Sequence, residues 1–99
     1  MIARIWSTGI LKGKENEYLN FVKKESVPMF KMQTGILNVQ ILLQQEKSLV
    51  ITYWLRVEDI ELMENDELYK QTTQKILAGG FLTDTQAVEK FECQNLSGF

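Results

Sequence analysis

The chain has 99 residues, of which 44% are hydrophobic and 24% are charged. This length and balance fit one globular domain and exclude an intrinsically disordered chain, because enough apolar surface can be buried to offset the entropy lost on folding. Eleven basic and thirteen acidic residues give a net charge of −2. We therefore expect no nucleic-acid-binding surface.

The sequence contains no candidate membrane segment. No apolar run approaches the roughly 18 residues that a membrane-spanning helix needs, and residues 1–6 lack the apolar core of a signal peptide. We therefore expect a cytoplasmic protein without a membrane partner. The single cysteine, Cys93, cannot form an internal disulfide, and its place in a predicted strand indicates a buried structural thiol.

Strand and helix patterns alternate along the chain. The spacing of apolar residues predicts a helix from Glu15, and we expect Pro28 to end it near Ser26 and leave a separate turn up to Met32. Asn65-Asp66 predicts a break in the second helical region. The other predicted elements are strands 2–10, 36–43, 49–55 and 87–93, a hairpin connection at 44–48, helical segments within 58–77, and a loop at 81–86.

The order β-α-β-β-α-β predicts an α+β fold of the ferredoxin-like type, with one four-stranded antiparallel sheet and the helices on one face. We assign the domain to residues 1–94 and a tail to residues 95–99. The third strand is apolar on both parities, with Ile51 and Tyr53 on one and Trp54 on the other. Because an uncovered sheet face of this kind would be a large apolar patch, we expect it to be buried against a second copy in a homodimer.

Several short motifs in this order resemble the antibiotic biosynthesis monooxygenase (ABM) domain family of the dimeric α/β-barrel superfamily. The resemblance covers roughly residues 1–93. It implies a dimer whose two sheets pair as a barrel, and a pocket between the helices and the sheet of each subunit. The activities known in the family are cofactor-free oxidation of aromatic polyketides and haem degradation. The motifs are Ile2-Ala3-Arg4-Ile5-Trp6, Lys12-Gly13-Lys14-x-x-Glu17-Tyr18, Pro28, Gly35, Tyr53-Trp54 and the acidic helix that follows.

The resemblance assigns roles to three positions. Trp54 matches the tryptophan that ends the third strand and lines the pocket in many members. Trp6 stands where the haem-degrading members have asparagine, and Thr73 falls near the position of their iron-ligating histidine. Because the chain contains no histidine, haem ligation of that type is not expected. We expect neither a metal nor a cofactor.

The residues themselves restrict the chemistry. Without histidine, neither a Ser-His-Asp nor a Cys-His pair can form. We interpret the acidic run between Asp59 and Glu67 as a solvated helix face. Arg4 could hold an anionic or enolate oxygen, or it could pair with a carboxylate, and Tyr69 could line a pocket or belong to the core. The sequence identifies no catalytic residue, and the substrate-binding candidates are Trp54, Trp6, Arg4, Asn38, Tyr69 and Thr73.

Two functions remain open on these grounds. The first is a cofactor-independent monooxygenase that acts on a small aromatic or quinone-like compound in a pocket between helices and sheet. The second is a non-catalytic dimeric module of the same fold that binds a small ligand or serves a stress-related role. A haem-handling protein, a third hypothesis, would bind hemin with a shift of the Soret band.

Overall fold

A computed structural model describes residues 1–94, and the predicted tail at 95–99 lies outside the described residues. The helical segment that was expected to break at Pro28 runs on from residue 15 to residue 31. The elements are β1 (Ile2–Ile10), α1 (Glu15–Phe21), a π-helical turn (Val22–Ser26), α2 (Val27–Lys31), β2 (Ile36–Gln44), β3 (Lys47–Trp54), α3 (Val57–Glu64), α4 (Glu67–Ala78) and β4 (Leu82–Glu92).

The four strands form one antiparallel sheet in the order β2-β3-β1-β4. The predicted β-α-β-β-α-β arrangement with one antiparallel sheet is confirmed. Strand β1 is central and pairs with both β3 and β4, so Arg4 lies between Thr52 and Lys90, and Trp6 lies between Val50 and Val88. These pairs fix which side chains of three strands share a face, since side chains alternate across a sheet.

The helices cover the face that carries the even-numbered residues of β1 and β3. Two adjoining groups of buried side chains form the core between this face and the helices, and half-buried Trp6 packs against both. Tyr18 is fully buried, and its hydroxyl donates to Ser48 Oγ at 2.8 Å. The first group is Met29, Phe30, Val50, Trp54, Ile60 and Met63, and the second is Ile10, Tyr18, Val22, Ile76 and Phe81.

The opposite face of the sheet carries apolar side chains that no other described element covers. Ile5, Ile51 and Tyr53 are half-buried there, and Phe91 on β4 is 50% exposed. We call this surface the open face and define it by Ile5, Leu42, Leu49, Ile51, Tyr53 and Phe91. The predicted two-sided apolar character of the third strand is therefore confirmed.

Pro28 does not end the helix, so the predicted break near Ser26 is wrong. The backbone widens into a π-helical turn just before the proline, and the Val27 N–H donates to the carbonyl of Val22, five residues back. A proline inside a regular α-helix lacks one donor and clashes with the carbonyl four residues earlier. The wider turn relieves this conflict before Pro28 and lets the chain remain helical up to Lys31.

The last strand begins earlier than predicted. β4 starts at Leu82, which pairs with Ile10 beyond an irregularity in the register, so residues 82–86 belong to the sheet rather than to a loop. Cys93 lies just after this strand and is half-buried, so the prediction of a buried thiol is wrong. The predicted break at Asn65-Asp66 is confirmed between α3 and α4. No helix among residues 1–94 has the length and apolarity needed to cross a membrane.

Candidate functional site

A small cavity lies between the central strands and the helices. Its volume is about 40 Å³, enough for one or two water molecules. Apolar side chains form most of its wall, and the polar groups come from β1, the π-helical turn and α4. The lining residues are Arg4, Trp6, Val22, Ser26, Met29, Phe30, Val50, Tyr69, Thr72, Thr73 and Ile76.

Arg4 is the one charged side chain in the lining, and it is only 2% exposed. Its Nε donates to Glu64 Oε2 at 3.1 Å, and its Nη2 donates to the Tyr69 hydroxyl at 2.7 Å. The guanidinium carbon also lies 5.4 Å from the centre of the Tyr69 ring. Two of the five guanidinium N–H groups are thus used, and the other three have no hydrogen-bond acceptor among residues 1–94.

Glu64 holds Arg4 from the side and is shared with a second cation. Lys90 Nζ, on the edge strand, lies 2.9 Å from Glu64 Oε1. Partial burial by itself raises the pKa of the Glu64 carboxyl, but the hydrogen bonds and charges of Lys90 and Arg4 outweigh it, so this pKa is lowered. Arg4 and Lys90 are two cations that share the single Glu64 carboxylate. These three side chains together therefore carry one uncompensated positive charge beside the cavity.

Tyr69 and Trp6, two of the substrate-binding candidates, lie together with Arg4 in the cavity wall. The Tyr69 hydroxyl accepts a hydrogen bond from Arg4, and no acceptor for its own proton lies among the described residues. Tyr69 also packs against the core group that contains Met29 and Phe30. Tyr69 is thus both a core residue and a cavity residue, which unites the two interpretations of this residue from the sequence.

Trp54 does not line the cavity. It is completely buried, and its Nε1 donates to Thr52 Oγ1 at 2.8 Å. It belongs to the core group that also contains Phe30 and Val50, two residues of the cavity wall. Trp54 therefore supports the wall from behind, and its role as a substrate-binding residue stays a prediction.

Asn38 and Thr73 fall in different places. Asn38 is exposed beside a register irregularity in β2, pairs with Tyr53 on the open face, and accepts a hydrogen bond from the Val39 N–H at its own Oδ1. It is not among the cavity residues, whereas Thr73 on α4 is. Of the six candidates, the structure thus brings Arg4, Trp6, Tyr69 and Thr73 together and leaves Asn38 and Trp54 outside.

The acidic run is not simply a solvated helix face, and that prediction is wrong at two positions. Glu64 pairs with Arg4 and Lys90, and Asp59 is 2% exposed with its Oδ1 lying 3.1 Å from Arg56 Nη2. The cations that pair with Glu64 come from β1 and β4, which are distant in the sequence, whereas Asp59 pairs with Arg56, three residues earlier.

Sequence reasoning missed Ser26, which is 7% exposed and lies in the cavity wall. Its signal was present in the spacing of four between Tyr18, Val22, Ser26 and Phe30. On a regular helix each step of four rotates the side chain by about 40° beyond a full turn. The wider π-helical turn offsets this drift, so all four side chains are buried.

Comparison with known proteins gives a clear answer for the fold. No family model and no curated protein sequence matches the chain. An antibiotic biosynthesis monooxygenase structure superposes with a TM-score of 0.77 at 13% identity, covering 96% of this chain and 100% of that one. SnoaB, a cofactor-independent oxygenase from Streptomyces nogalater, gives a TM-score of 0.79 at 11% identity, covering 96% and 94%.

This chain has the ABM fold. The same architecture extends to an uncharacterized NIPSNAP domain protein from Burkholderia xenovorans, with a TM-score of 0.70 at 12% identity and complete coverage of both chains. Identities this low establish the fold alone. The function of this ABM-fold chain must therefore be argued from its own cavity.

Proposed function

We propose that this ABM-fold protein is a cofactor-independent monooxygenase that takes a small hydroxylated aromatic or quinone-like compound into the cavity beside Arg4. The observation that carries the proposal is a buried guanidinium with uncommitted N–H groups in a largely apolar cavity wall. In such low-dielectric surroundings a fixed cation strongly stabilises an enolate or phenolate oxygen. The electron-rich anion is the form of such a compound that reacts with O2.

The reaction balances without a further reductant. A ring carbon of the anion passes an electron to O2, and the carbon and oxygen then join. One oxygen atom stays on that carbon as a carbonyl, and the other leaves as water with the two hydrogens that came from the ring C–H and the hydroxyl. The protein's part is to bind the anion at Arg4 and to exclude water with the walls formed by Trp6 and Tyr69.

Ligand binding requires the cavity to widen. Its volume is about 40 Å³, whereas a cavity that admits benzene measures about 150 Å³. Met29 is the wall residue best suited to give way, because its unbranched thioether chain adopts many shapes at low cost. Trp6 is half-buried and lies between the two core groups, so it can also shift.

The test is oxygen uptake with a panel of hydroxylated aromatic compounds under ¹⁸O₂. We expect one labelled oxygen atom in the product of at least one compound, and a loss of at least tenfold in rate in Arg4→Gln, which keeps hydrogen-bonding groups but removes the charge. Compounds that bind without any consumption of oxygen would contradict the monooxygenase proposal.

A second candidate is a non-catalytic module that binds a small ligand in the same cavity. One observation favours it: the carboxylate nearest to Arg4, that of Glu64, is already bonded to two cations and has a lowered pKa, which makes it a weak base. A ligand-induced rise in melting temperature without turnover would support this candidate, because a ligand that binds only the native state stabilises it by mass action.

We further propose that the protein is a homodimer in which the two open faces pack together. The support is the group of half-buried or exposed apolar side chains on a face that no described element covers. A two-fold contact between identical faces is the commonest way to bury such a surface. Sedimentation at micromolar concentration should give twice the mass of the chain, and a single copy at that concentration would contradict the proposal.

A further inference from the structure

Ser26 is a largely buried residue whose hydroxyl has no hydrogen-bond partner among residues 1–94. The residue is 7% exposed and lies in the cavity wall. A buried hydroxyl without a partner costs free energy, so nearly all of them in native proteins have one. No fully enclosed side-chain nitrogen or oxygen lacks a partner in the described part of the chain, so the Ser26 hydroxyl oxygen is not fully enclosed, and the cavity that Ser26 lines is open space beside this residue.

Two other cavity hydroxyls differ from it. Thr72 Oγ1 donates to the Leu68 carbonyl at 2.8 Å, which is a common hydrogen bond for a hydroxyl inside a helix. Thr73 is half-buried, and is thus more exposed than Ser26. Within the π-helical turn, the Val22 carbonyl accepts from the Val27 N–H. Among residues 1–94 the Ser26 hydroxyl has no hydrogen bond within its own helix, and Ser26 lies in the cavity wall.

Resting on the proposed function of the cavity, we propose that Ser26 is a ligand-binding residue that selects aromatic anions carrying a second oxygen. Arg4 holds the anionic oxygen, and the Ser26 hydroxyl bonds the second one. Both residues line the same small cavity, one on β1 and one on the π-helical turn that covers it. The ligand class is a hydroxylated aromatic carboxylate or phenolate, rather than an aromatic compound with one polar group.

The experiment is isothermal titration with benzoate, 3-hydroxybenzoate and 4-hydroxybenzoate at pH 7, where all three are anions. We expect the wild-type protein to bind at least one hydroxybenzoate about three- to tenfold more tightly than benzoate, the worth of one hydrogen bond. Ser26→Ala should remove this preference, so that neither hydroxybenzoate binds more tightly than benzoate does. Alanine favours a helix more than serine does, so this variant is expected to fold with an unchanged or higher melting temperature.

The matched control is Ser7→Ala, the same chemical change on the opposite face of β1, which should keep the preference for the hydroxyl. A preference that survives in Ser26→Ala, or no preference in the wild-type protein, would overturn the role of Ser26 and leave the cavity as a binding site for anions. If none of the three compounds binds, the proposed function of the cavity fails, and the Ser26 proposal fails with it.

Discussion

At the scale of single residues, the candidate site depends on how the buried Arg4 guanidinium divides its N–H groups between its partners and the cavity. Arg4 donates two N–H groups to Glu64 and Tyr69, and its other three have no acceptor among residues 1–94. Glu64 in turn is shared with Lys90, so the carboxylate neutralises only part of the local positive charge. Arg4 is therefore held in place by its partners without being fully occupied by them.

This arrangement predicts an acid-dependent loss of stability. The pKa of Glu64 is lowered in the folded chain, so its contribution to the free energy of unfolding is complete above the unfolded carboxyl value of 4.5. The contribution is lost as the pH falls through the lower folded value. Urea unfolding should show Glu64→Gln to be less stable than wild type by on the order of 1 kcal/mol at pH 7.

The difference should shrink as the pH falls below 4.5, since the wild-type carboxyl then becomes neutral as well. Glu61→Gln is the control, because Glu61 is exposed on the same helix and forms no ion pair among residues 1–94. It should follow the pH profile of the wild-type protein. A Glu64→Gln deficit that is the same at every pH would contradict a role for the carboxylate charge.

Binding at Arg4 gives a second prediction at this scale. Lys90→Gln should weaken benzoate binding less than Arg4→Gln does, because Lys90 adds positive charge only through Glu64 and is not a cavity residue. Arg4→Gln should weaken the same binding at least tenfold, since it removes the charge that meets the anion. Titration of the two variants side by side is the measurement, and equal losses would indicate a diffuse electrostatic effect rather than a site at Arg4.

At the scale of elements, the start of β2 depends on a glycine. Gly35 has a φ of +81° and lies against Asp59, so that a β-carbon at this position would overlap the carboxylate. Its carbonyl accepts a hydrogen bond from the Leu55 N–H at 2.9 Å, which links the start of β2 to the end of β3. The buried Asp59 carboxylate thus lies where the end of the first helical region meets the sheet and α3.

Gly35→Ala should therefore be strongly destabilising. The left-handed backbone alone costs about 1–3 kcal/mol for a residue with a β-carbon, and displacement of buried Asp59 adds to it. Gly13→Ala is the control, because Gly13 has the same φ of +81° but no atom near its missing β-carbon. Thermal unfolding should show a clearly larger drop for Gly35→Ala, and equal drops would mean that Asp59 moves aside freely.

Sequence reasoning succeeded where a pattern depends on neighbours along the chain. The strands, the helical regions and the break at Asn65-Asp66 follow from local spacing and polarity. It failed at Pro28 because the backbone neither ends the helix nor continues as a regular α-helix there. Instead it forms a wider helical turn, which hydrophobic spacing does not reveal. It also missed Arg4 and Lys90 as partners of Glu64, because these cations contact the carboxylate only after the sheet and helices have packed. At Asp59 it overlooked a local partner, Arg56, three residues earlier.

At the scale of the whole molecule, the sheet separates two apolar surfaces with different coverings. The helices cover the even-numbered side of β1 and β3, and a second copy is the proposed cover for the open face. A charged residue at the centre of that face would have to lose its water on association. The proposed dimer is therefore sensitive to a single substitution.

Ile51→Lys should convert the dimer into a monomer. Ile51 pairs with both Ile5 and Gln40, so it lies in the middle of the open face. The buried lysine would be costly in the dimer, whereas in a separated chain it would lie in water. Sedimentation should show the halved mass, and Lys75→Ala on the helical side is the control that should remain dimeric. Retention of the dimer in Ile51→Lys would place the contact elsewhere.

Adjacent residues of the central strand β1 lie on opposite faces of the sheet. Arg4 points to the cavity, and Ile5 points to the open face. If the proposed dimer forms through the open face, we expect a shift of this backbone on ligand binding to alter the contact between subunits, and the resulting free-energy coupling would be reciprocal. Affinity for the ligand should consequently depend on protein concentration across the range in which the two subunits separate.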